Sequence, residues 1–250
     1  MRVIKIGGNV VNSPKNLAFA LDECVLGPQP FVLVHGGGRS ATELAQKLGV
    51  EQTVVDGRRI TSEETLNIVT MVYGGLINKT IVAGLQARGL NAVGFTGADG
   101  NLIRAHRRVI AGIDYGFVGD VDRINTAFLL LLLNAGHSVV CAPLSHDGKG
   151  SMLNTNADTI AAELAVALAA TQEVELVYAF EHKGVLREVH DESSCIPSIN
   201  RVEYVALQNE GVIVKGMLPK LENAFQARER GVQRVRITRY DALESGTEIL

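Results

Sequence analysis

The sequence predicts an α/β fold with a mostly parallel central sheet, and two stretches carry that prediction. The apolar run 31–35 stops at Gly36, Gly37 and Gly38, and the run 3–6 stops in the same way at Gly7 and Gly8; a helical pattern follows each one. Two successive strand–glycine–helix units indicate parallel strands joined by helical crossovers, with ligands at the carboxyl ends of the strands. Such turns favour anions, because backbone N–H groups and the helix dipole point at the ligand.

The triple glycine matches neither common nucleotide-binding fingerprint. It is neither Gly-x-Gly-x-x-Gly nor Gly-x-x-x-x-Gly-Lys-Ser/Thr, and a plain strand-to-helix turn explains it as well as an anion site does. Lys5 decides in favour of an anion, because a lysine in a strand covered on both faces is costly to bury unless it faces solvent or a negative charge. One residue, Ile6, separates it from the glycines at its strand end.

Composition excludes several classes of function. The 250 residues are 46% hydrophobic and 20% charged with a net charge of −3, so we expect a folded chain that does not bind nucleic acid. Three widely spaced cysteines indicate free thiols in a reducing cytoplasm, and the six histidines show no metal-ligand spacing. The N-terminus shows no signal-peptide pattern, and the apolar run 127–133 is too short to span a bilayer. We therefore expect a cytoplasmic protein without a membrane partner.

The next elements follow from local patterns. A helix is expected from Pro14 to Cys24, and a short hairpin over 54–61 is expected to turn at Asp56 and Gly57. Thr61 with Glu64 forms a capping-box pattern that opens a helix whose residues 66–76 are nearly all apolar, so that helix is buried in the core or in a subunit interface.

The hairpin carries two adjacent arginines, Arg58 and Arg59. One is expected to be solvated, and the other could pair with a ligand carboxylate; the pattern does not say which. Further along, a hairpin over 101–117, a buried helix over 126–133 and a core strand over 138–143 are predicted. The stretch Ser145-His146-Asp147 does not indicate a hydrolase, because residues adjacent in sequence cannot form a triad relay.

Polar residues alternate just before the long apolar helix predicted over 159–170. Asn154, Asn156 and Asp158 provide more polar groups than one helix cap needs. One account gives Asp158 or Asn156 to capping and nothing else. We favour a second account, in which an asparagine binds a ligand while Asp158 orients a lysine.

A domain boundary is expected at 171/172, where the helix ends and a new strand begins at 174–178. A helix over 201–209 and strands over 233–238 and 247–250 follow. Pro219 suits the first turn of a helix, whereas the dipole disfavours Lys220 there unless an anion compensates it, so Lys220 is a functional candidate.

Together these stretches resemble the acetylglutamate kinases, a group within the amino acid kinase family. The resemblance runs from Val3 to Leu250 and rests on motifs in a fixed order: Lys5-x-Gly-Gly, His35-Gly-Gly-Gly, 56–61, 71–79, 116–121, Asn154-x-Asn-Ala-Asp158 and Gly216-Met-Leu-Pro-Lys220. It implies an open α/β/α sandwich, an acylamino-acid-binding and dimerisation domain over 1–171 and an ATP-binding domain over 172–250. It also implies transfer of the ATP γ-phosphoryl group to the side-chain carboxylate of N-acetyl-L-glutamate, in arginine biosynthesis.

The resemblance also assigns roles to residues of this chain. Lys5 and Lys220 would clamp the phosphoryl group, Asp158 would hold both ammonium groups, and Gly8 would donate a backbone N–H. The acylamino acid would be bound by Gly37, Gly38, Arg59 and Asn154, and the nucleotide, which carries Mg²⁺, by Glu181, His182, Lys183, Gly184 and Gly216. Such chemistry uses positioned cations and N–H donors to stabilise charge on the transferring group, and needs no metal site built by the protein.

The chain also departs from the family pattern. Many relatives read Thr-Asp two to three residues before the Gly-Val-Leu of the nucleotide loop, where this chain has Phe180-Glu-His-Lys183 before Gly184; this affects the expected contacts to adenine. The acyl pocket is not legible, so N-succinylglutamate or a blocked aminoadipate is an alternative acceptor, and a catalytically silent metabolite sensor is a rival function. Arginine-inhibited relatives carry an extra N-terminal helix that builds a hexameric ring; with its first strand at Val3, this chain is expected to form an arginine-insensitive homodimer through the helix over 66–77.

Overall fold

The computed structural model describes residues 1–55, 58–110, 112–213 and 217–250. Helices and strands alternate along most of the chain. In order they are β1 (Arg2–Ile6), α1 (Gly8–Asn12), α2 (Pro14–Leu26), β2 (Phe31–His35), α3 (Gly38–Lys47), β3 (Val54–Val55), β4 (Arg58–Arg59), α4 (Glu63–Val69), a π-helical segment (Thr70–Ile77), α5 (Asn78–Gln86), β5 (Ala92–Phe95), β6 (Ile103–Ile110), β7 (Ile113–Ile124), α6 (Thr126–Asn134), β8 (Ser138–Cys141), β9 (Leu144–His146), β10 (Met152–Asn154), α7 (Ala157–Ala169), β11 (Glu175–Phe180), β12 (Ser198–Ile199), α8 (Arg201–Asn209), α9 (Leu218–Glu229), β13 (Arg234–Arg239) and β14 (Thr247–Ile249).

The centre of the fold is a sheet whose strands are ordered β12-β14-β13-β11-β1-β2-β8-β5. Every neighbouring pair is parallel except β13 and β14, which are antiparallel. The predicted α/β fold with a mostly parallel sheet is therefore confirmed. Strand β1 lies in the middle, between β2 and β11, so the glycines after β1 and β2 emerge side by side at the carboxyl edge.

Helices cover both faces of this sheet, as the α/β/α sandwich requires. Successive residues of β1 point to opposite faces: Val3 packs in the cluster that contains α6 to α9, whereas Ile4 and Ile6 pack in the cluster that contains α1 to α5. Lys5 shares the face of Val3 by the same alternation, which directs it toward α7.

A second, four-stranded arrangement of β9, β6, β7 and β10 lies beside the main sheet. Its long hairpin, β6 with β7, confirms the predicted strands over 101–117 and extends them to Ile124. The shorter predicted hairpin is also present, since Val54 pairs with Arg59 in antiparallel fashion; its expected turn at Asp56 and Gly57 lies outside the described residues.

The expected cap of the apolar helix was wrong. Ser62, not Thr61, caps α4, and its Oγ accepts a hydrogen bond from the Thr65 amide at 3.2 Å. Thr61 instead pairs through its backbone with Gly116 of the long hairpin, in a parallel bridge. A partner more than fifty positions away decides this, so the local pattern could not reveal it.

The apolar helix is longer and less buried than the sequence indicated. It runs from Glu63 to Gln86 through the π-helical segment, and Met71 and Leu76 are 55% and 65% exposed. By length and composition it could span a membrane, although the core helix of a soluble protein passes the same test and 44% of its most apolar window is buried here. Helix α6 is likewise only half-buried, with Leu131 exposed.

Candidate active site

Three charged side chains meet at the carboxyl edge of the sheet. Lys5 Nζ lies 2.7 Å from Asp158 Oδ1, and Lys220 Nζ donates to Asp158 Oδ2 at 2.9 Å. Lys5 and Asp158 are almost completely buried, whereas the Lys220 side chain is 21% exposed. One carboxylate thus holds two ammonium groups, the arrangement that the family resemblance implied for these residues.

Lys5, Asp158 and Lys220 lie on three different elements: β1, α7 and α9. The Asp158 carboxylate is available to the lysines because it is not used as the cap of α7. Asn156 caps α7 by accepting from the amides of Asp158 and Thr159 at 2.8 and 3.0 Å, so Asp158 is not needed as a cap. Tyr178 on β11 donates its hydroxyl to the Asp158 carbonyl at 3.1 Å and fixes that turn against the sheet. Asp158 therefore acts as the counter-ion of the two lysines, as the second account expected, and Asn156 is the cap, as the first account allowed. The ligand contact of an asparagine stays a prediction.

The charges of the cluster depend on one another. Burial alone would raise the pKa of Asp158, but Lys5 and Lys220 outweigh it and hold that pKa well below its ordinary range. Burial lowers the pKa of Lys5 more than Asp158 restores it, while Lys220, less buried, has its pKa raised by Asp158 against the same effect. Two ammonium groups thus face one carboxylate, and Lys220 is the partly exposed member, which an anionic group can approach.

The two glycine loops bring helix N-termini together beside this cluster. Gly8 begins α1 and Gly38 begins α3, so their amides, with that of the cap residue Gly37, have no intrahelical acceptor. A Cβ on Gly8 would lie 3.5 Å from the Gly37 nitrogen, and one on Gly36 would lie only 2.7 Å from the Gly8 nitrogen. Glycine at 36 is thus required for the close approach, which converges N–H donors on one point.

A cavity of about 200 Å³ opens next to these donors. Arg59 lines it and is held in place, with Nη2 donating to the Gly38 carbonyl at 2.9 Å and to Thr42 Oγ1 at 2.8 Å and Nη1 donating to Gln52. Asn154 also lines it. The structure therefore brings Gly37, Gly38, Arg59 and Asn154 to one cavity, as predicted. The remaining lining includes Gly36, Val54, Arg58, Tyr73, Val118, Pro143, Thr155, Asn156 and Ala157.

The chain is similar to known proteins over nearly its whole length. A sequence model of the amino acid kinase family matches residues 1–239. An acetylglutamate kinase of Phocaeicola vulgatus is 54% identical over 247 residues, covering 99% of this chain and 96% of that protein. The chain belongs to the amino acid kinase family. An acetylglutamate kinase of Methanopyrus kandleri is 39% identical, with 98% of both chains covered. Among solved structures, smu.665 from Streptococcus mutans UA159 superposes with a TM-score of 0.84 at 28% identity, covering 99% and 97%.

This amino acid kinase has a second cavity, of about 230 Å³, lined by residues from the end of β11 onward in the chain. His182 and Gly184 line it, whereas Glu181 and Lys183 do not; the Lys183 amide donates to Glu192 at 3.0 Å, and Glu192 also contacts His182 at 3.1 Å. Gly216 lies outside the described residues. Most of the lining is apolar, which suits a flat aromatic base: Phe180, Val185, Leu186, Val189, Val212, Ile213 and Met217.

Sequence reasoning missed most residues of that second cavity and two residues near the first. The residues that line the second cavity after β11 are mostly apolar, and apolar residues in a sequence belong more often to the core than to a cofactor pocket, so the pattern did not identify them. Tyr73 lines the first cavity from the π-helical segment, and a Cβ on Gly37 would lie 2.8 Å from Tyr73 and 2.6 Å from Ile77. The only sign of these residues in the sequence was Gly37 itself, because a glycine that follows another glycine at a strand end indicates that side chains pack closely against the backbone.

Proposed function

We propose that this chain is an acetylglutamate kinase, which transfers the γ-phosphoryl group of ATP to the side-chain carboxylate of N-acetyl-L-glutamate and yields an acyl phosphate. The ion cluster of Lys5, Asp158 and Lys220 is the observation that supports it. Ala157, next to Asp158, lines the first cavity, and Met217, close to Lys220 in the chain, lines the second. The relatives of that name are 53–54% identical over nearly the whole chain, which supports the same conclusion.

The reaction needs positioned positive charge more than covalent chemistry. As the phosphoryl group moves, negative charge spreads over its equatorial oxygens. Lys220 and Lys5 would flank that charge from one side, and the amides of Gly8 and Gly37 would donate to it from the other. Asp158 prevents the two ammonium groups from separating before the nucleotide arrives, so the cost of orienting them is met in the free enzyme.

We propose that the two cavities divide the substrates. The arginine-lined cavity draws its lining from residues below 158 and would take the acylamino acid; the apolar one draws its lining from residues above 179 and would take adenine. This supports an acylamino-acid part over 1–171 and an ATP part over 172–250. The central sheet crosses that boundary, since β1 pairs with β11.

Magnesium would enter with the nucleotide. Among the described residues, no three His, Cys, Asp or Glu side chains are grouped to hold a metal. Glu181 provides a fitting single oxygen, because its Oε1 is buried without a hydrogen-bond partner there and its charge acts on Lys220. Bound Mg²⁺ would neutralise phosphate charge, and Glu181 would hold it on the nucleotide side.

One feature of the acceptor cavity favours a second candidate, an N-succinylglutamate kinase. Arg58 lines the same cavity as Arg59, and in the described parts of the chain no hydrogen bond or ion pair engages its guanidinium. Burial lowers the pKa of Arg58, and nearby Arg108 adds to that effect. A second carboxylate on the acyl group would compensate this cation.

A coupled assay of ADP release separates these functions. ATP would be offered with N-acetylglutamate, N-succinylglutamate or free glutamate, and hydroxylamine would trap the acyl phosphate as a hydroxamate. Turnover with N-acetylglutamate supports the first proposal; turnover confined to N-succinylglutamate, abolished by Arg58→Leu, supports the second. No acceptor-dependent ADP would contradict both and favour a silent sensor.

We further propose a cytoplasmic homodimer. The free thiols of Cys24, Cys141 and Cys195 suit a reducing compartment. The exposed apolar side chains of Met71 and Leu76 suit a two-fold contact between copies of the long helix.

A further inference from the structure

His35 is completely buried at the end of β2, immediately before the glycine loop, and the chemistry above does not use it. Its Nδ1 lies 2.8 Å from the Gly36 carbonyl oxygen, and its Nε2 lies 3.5 Å from Asn78 Nδ2. Which nitrogen carries the proton decides whether Nδ1 can donate to that carbonyl. The surrounding hydrogen bonds settle the question.

The assignment starts from Lys79, because an ammonium group can only donate. Lys79 Nζ lies 3.1 Å from Asn78 Oδ1 and 2.8 Å from the Gly94 carbonyl oxygen, so Oδ1 is an acceptor. The other end of the Asn78 amide must then be its donor, and Nδ2 donates to the Val140 carbonyl at 3.0 Å. The second Nδ2 hydrogen faces His35 Nε2, which must accept it.

The proton of His35 is therefore on Nδ1, which donates to the Gly36 carbonyl. Burial lowers the pKa of His35 to about 4, with the Gly36 carbonyl acting in the opposite direction, so the ring stays neutral at physiological pH. The chain of donors runs without a gap from the exposed Lys79 through two buried side chains to the backbone of the loop.

The held carbonyl fixes the next amide. In a trans peptide the C=O of one residue and the N–H of the next point in opposite directions. With the Gly36 oxygen directed at His35, the Gly37 N–H must point the other way, toward Gly8 and the cavity. Between two glycines no Cβ resists rotation of this peptide plane, so a hydrogen bond is needed to prevent a flip.

We propose that His35 is a positioning residue, which acts through the Gly36 carbonyl to aim the Gly37 N–H at the transferring phosphoryl group or its acceptor carboxylate. Asn78 and Lys79 set its tautomer. The catalytic part of this proposal rests on the proposed kinase function, whereas the tautomer and the orientation of the amide do not.

The tautomer is tested without substrate. Nitrogen-15 NMR of the ligand-free protein, with His35 assigned from the spectrum of His35→Asn, should show a protonated Nδ1 and an unprotonated Nε2. Lys79→Met, an exposed change, should weaken that preference and shift the Gly37 amide resonance; Lys47→Met, at an exposed lysine on α3, should do neither. A protonated Nε2 in the wild type would overturn the proposal.

The effect of His35 on catalysis is tested by replacing it with asparagine or glutamine, whose side-chain amide groups lie at different distances from the backbone. Asparagine places its Nδ2 near the position of the imidazole Nδ1 and can still donate to Gly36, whereas glutamine places its nitrogen near Nε2. His35→Asn should keep kcat close to wild type, and His35→Gln should lower it by about a hundredfold, the usual loss for one such donor, with the KM for ATP unchanged.

The outcomes are distinct. Equal kcat values for the two variants would overturn the positioning role. If both variants fail to fold, Lys79→Met decides, since unchanged kcat together with a changed tautomer would also overturn it. A wild-type protein that phosphorylates no acceptor would contradict the proposed function, while the nitrogen-15 result would still stand.

Discussion

Lys220 shows how a residue that is locally unfavourable can identify a site. It lies in the first turn of α9, where the helix dipole opposes a cation, and it is tolerated because Asp158 accepts from it at 2.9 Å. Neither element needs the pair for its own formation. The unfavourable interaction of the Lys220 cation with the helix dipole is offset by a carboxylate 62 residues away in the sequence. Such a pairing is typical of a functional site.

Replacing Lys220 tests its assignment as a phosphoryl clamp. Lys220→Ala removes a cation that acts mainly on charge developing in the transition state, so we expect kcat to fall about a hundredfold, or ~3 kcal/mol, with a much smaller change in the KM for either substrate. Lys149→Ala, at an exposed turn lysine, is the matched control and should leave turnover unchanged. Wild-type kcat in Lys220→Ala would exclude the clamp.

Asp158 gives a prediction for stability against pH. Because its pKa is depressed in the folded state, its contribution is present above its unfolded pKa of about 3.9 and is lost as the pH falls below that value. Near pH 7, Asp158→Asn should destabilise the protein by about 3 kcal/mol, since it leaves two lysines without their counter-ion. The difference in the free energy of unfolding between wild type and Asp158→Asn should shrink when urea unfolding is repeated between pH 5 and pH 3. A constant difference would show that the pKa of Asp158 is the same in the folded and unfolded states.

The residues of the ion cluster could be predicted from the sequence because each violates a local rule. A lysine inside a strand and a lysine at a helix start both demand an explanation, and Asp158 stands among more polar residues than one cap uses. Residues that obey local rules stay hidden: His35 reads as an ordinary end of a strand, and Phe180 and Val185 read as core. Their roles come from the path of the chain in space, which no single pattern contains.

At the scale of elements, the sequence located most helices and strands but not how their ends are held. The helix over 201–209 was predicted at its observed bounds, and the structure shows a capping box of Asn200 and Glu203 at its start. The same kind of pattern failed at Thr61, since a distant hairpin competes for that residue. A capping motif is therefore reliable only where no neighbouring strand offers the backbone another partner.

The corrected cap is open to direct measurement. Ser62→Ala removes the oxygen that accepts from the Thr65 amide and should lower the free energy of unfolding by about 1 kcal/mol. Thr53→Ala, at an exposed residue whose side chain makes no hydrogen bond in the described part of the chain, should change it by less than about 0.5 kcal/mol. Equal effects in chemical denaturation would mean that Ser62 does not cap the helix.

At the scale of the molecule, the three charged groups of the ion cluster come from both parts of the chain, which one sheet joins. Lys5 comes from β1 in the first part of the chain, Lys220 from α9 in the second, and Asp158 from α7 between them. Parallel pairing of β1 with β11 joins the part of the chain that lines the arginine-lined cavity to the part that lines the apolar cavity. The order of the strands, which the sequence did not provide, thus determines where phosphoryl transfer would occur.

The proposed dimer can be tested with two leucines of equal exposure. Leu76 on the long helix is 65% exposed and Leu131 on α6 is 66% exposed. In a two-fold dimer both subunits carry the substitution at the same interface, so Leu76→Glu would place two like charges near each other in an apolar contact. We expect light scattering to give a dimer for the wild type and for Leu131→Glu, and a monomer for Leu76→Glu with an unchanged circular dichroism spectrum. A dimer that persists in Leu76→Glu but dissociates in Leu131→Glu would place the interface on α6 instead, and a monomeric wild type would leave the exposed face of the long helix without this partner.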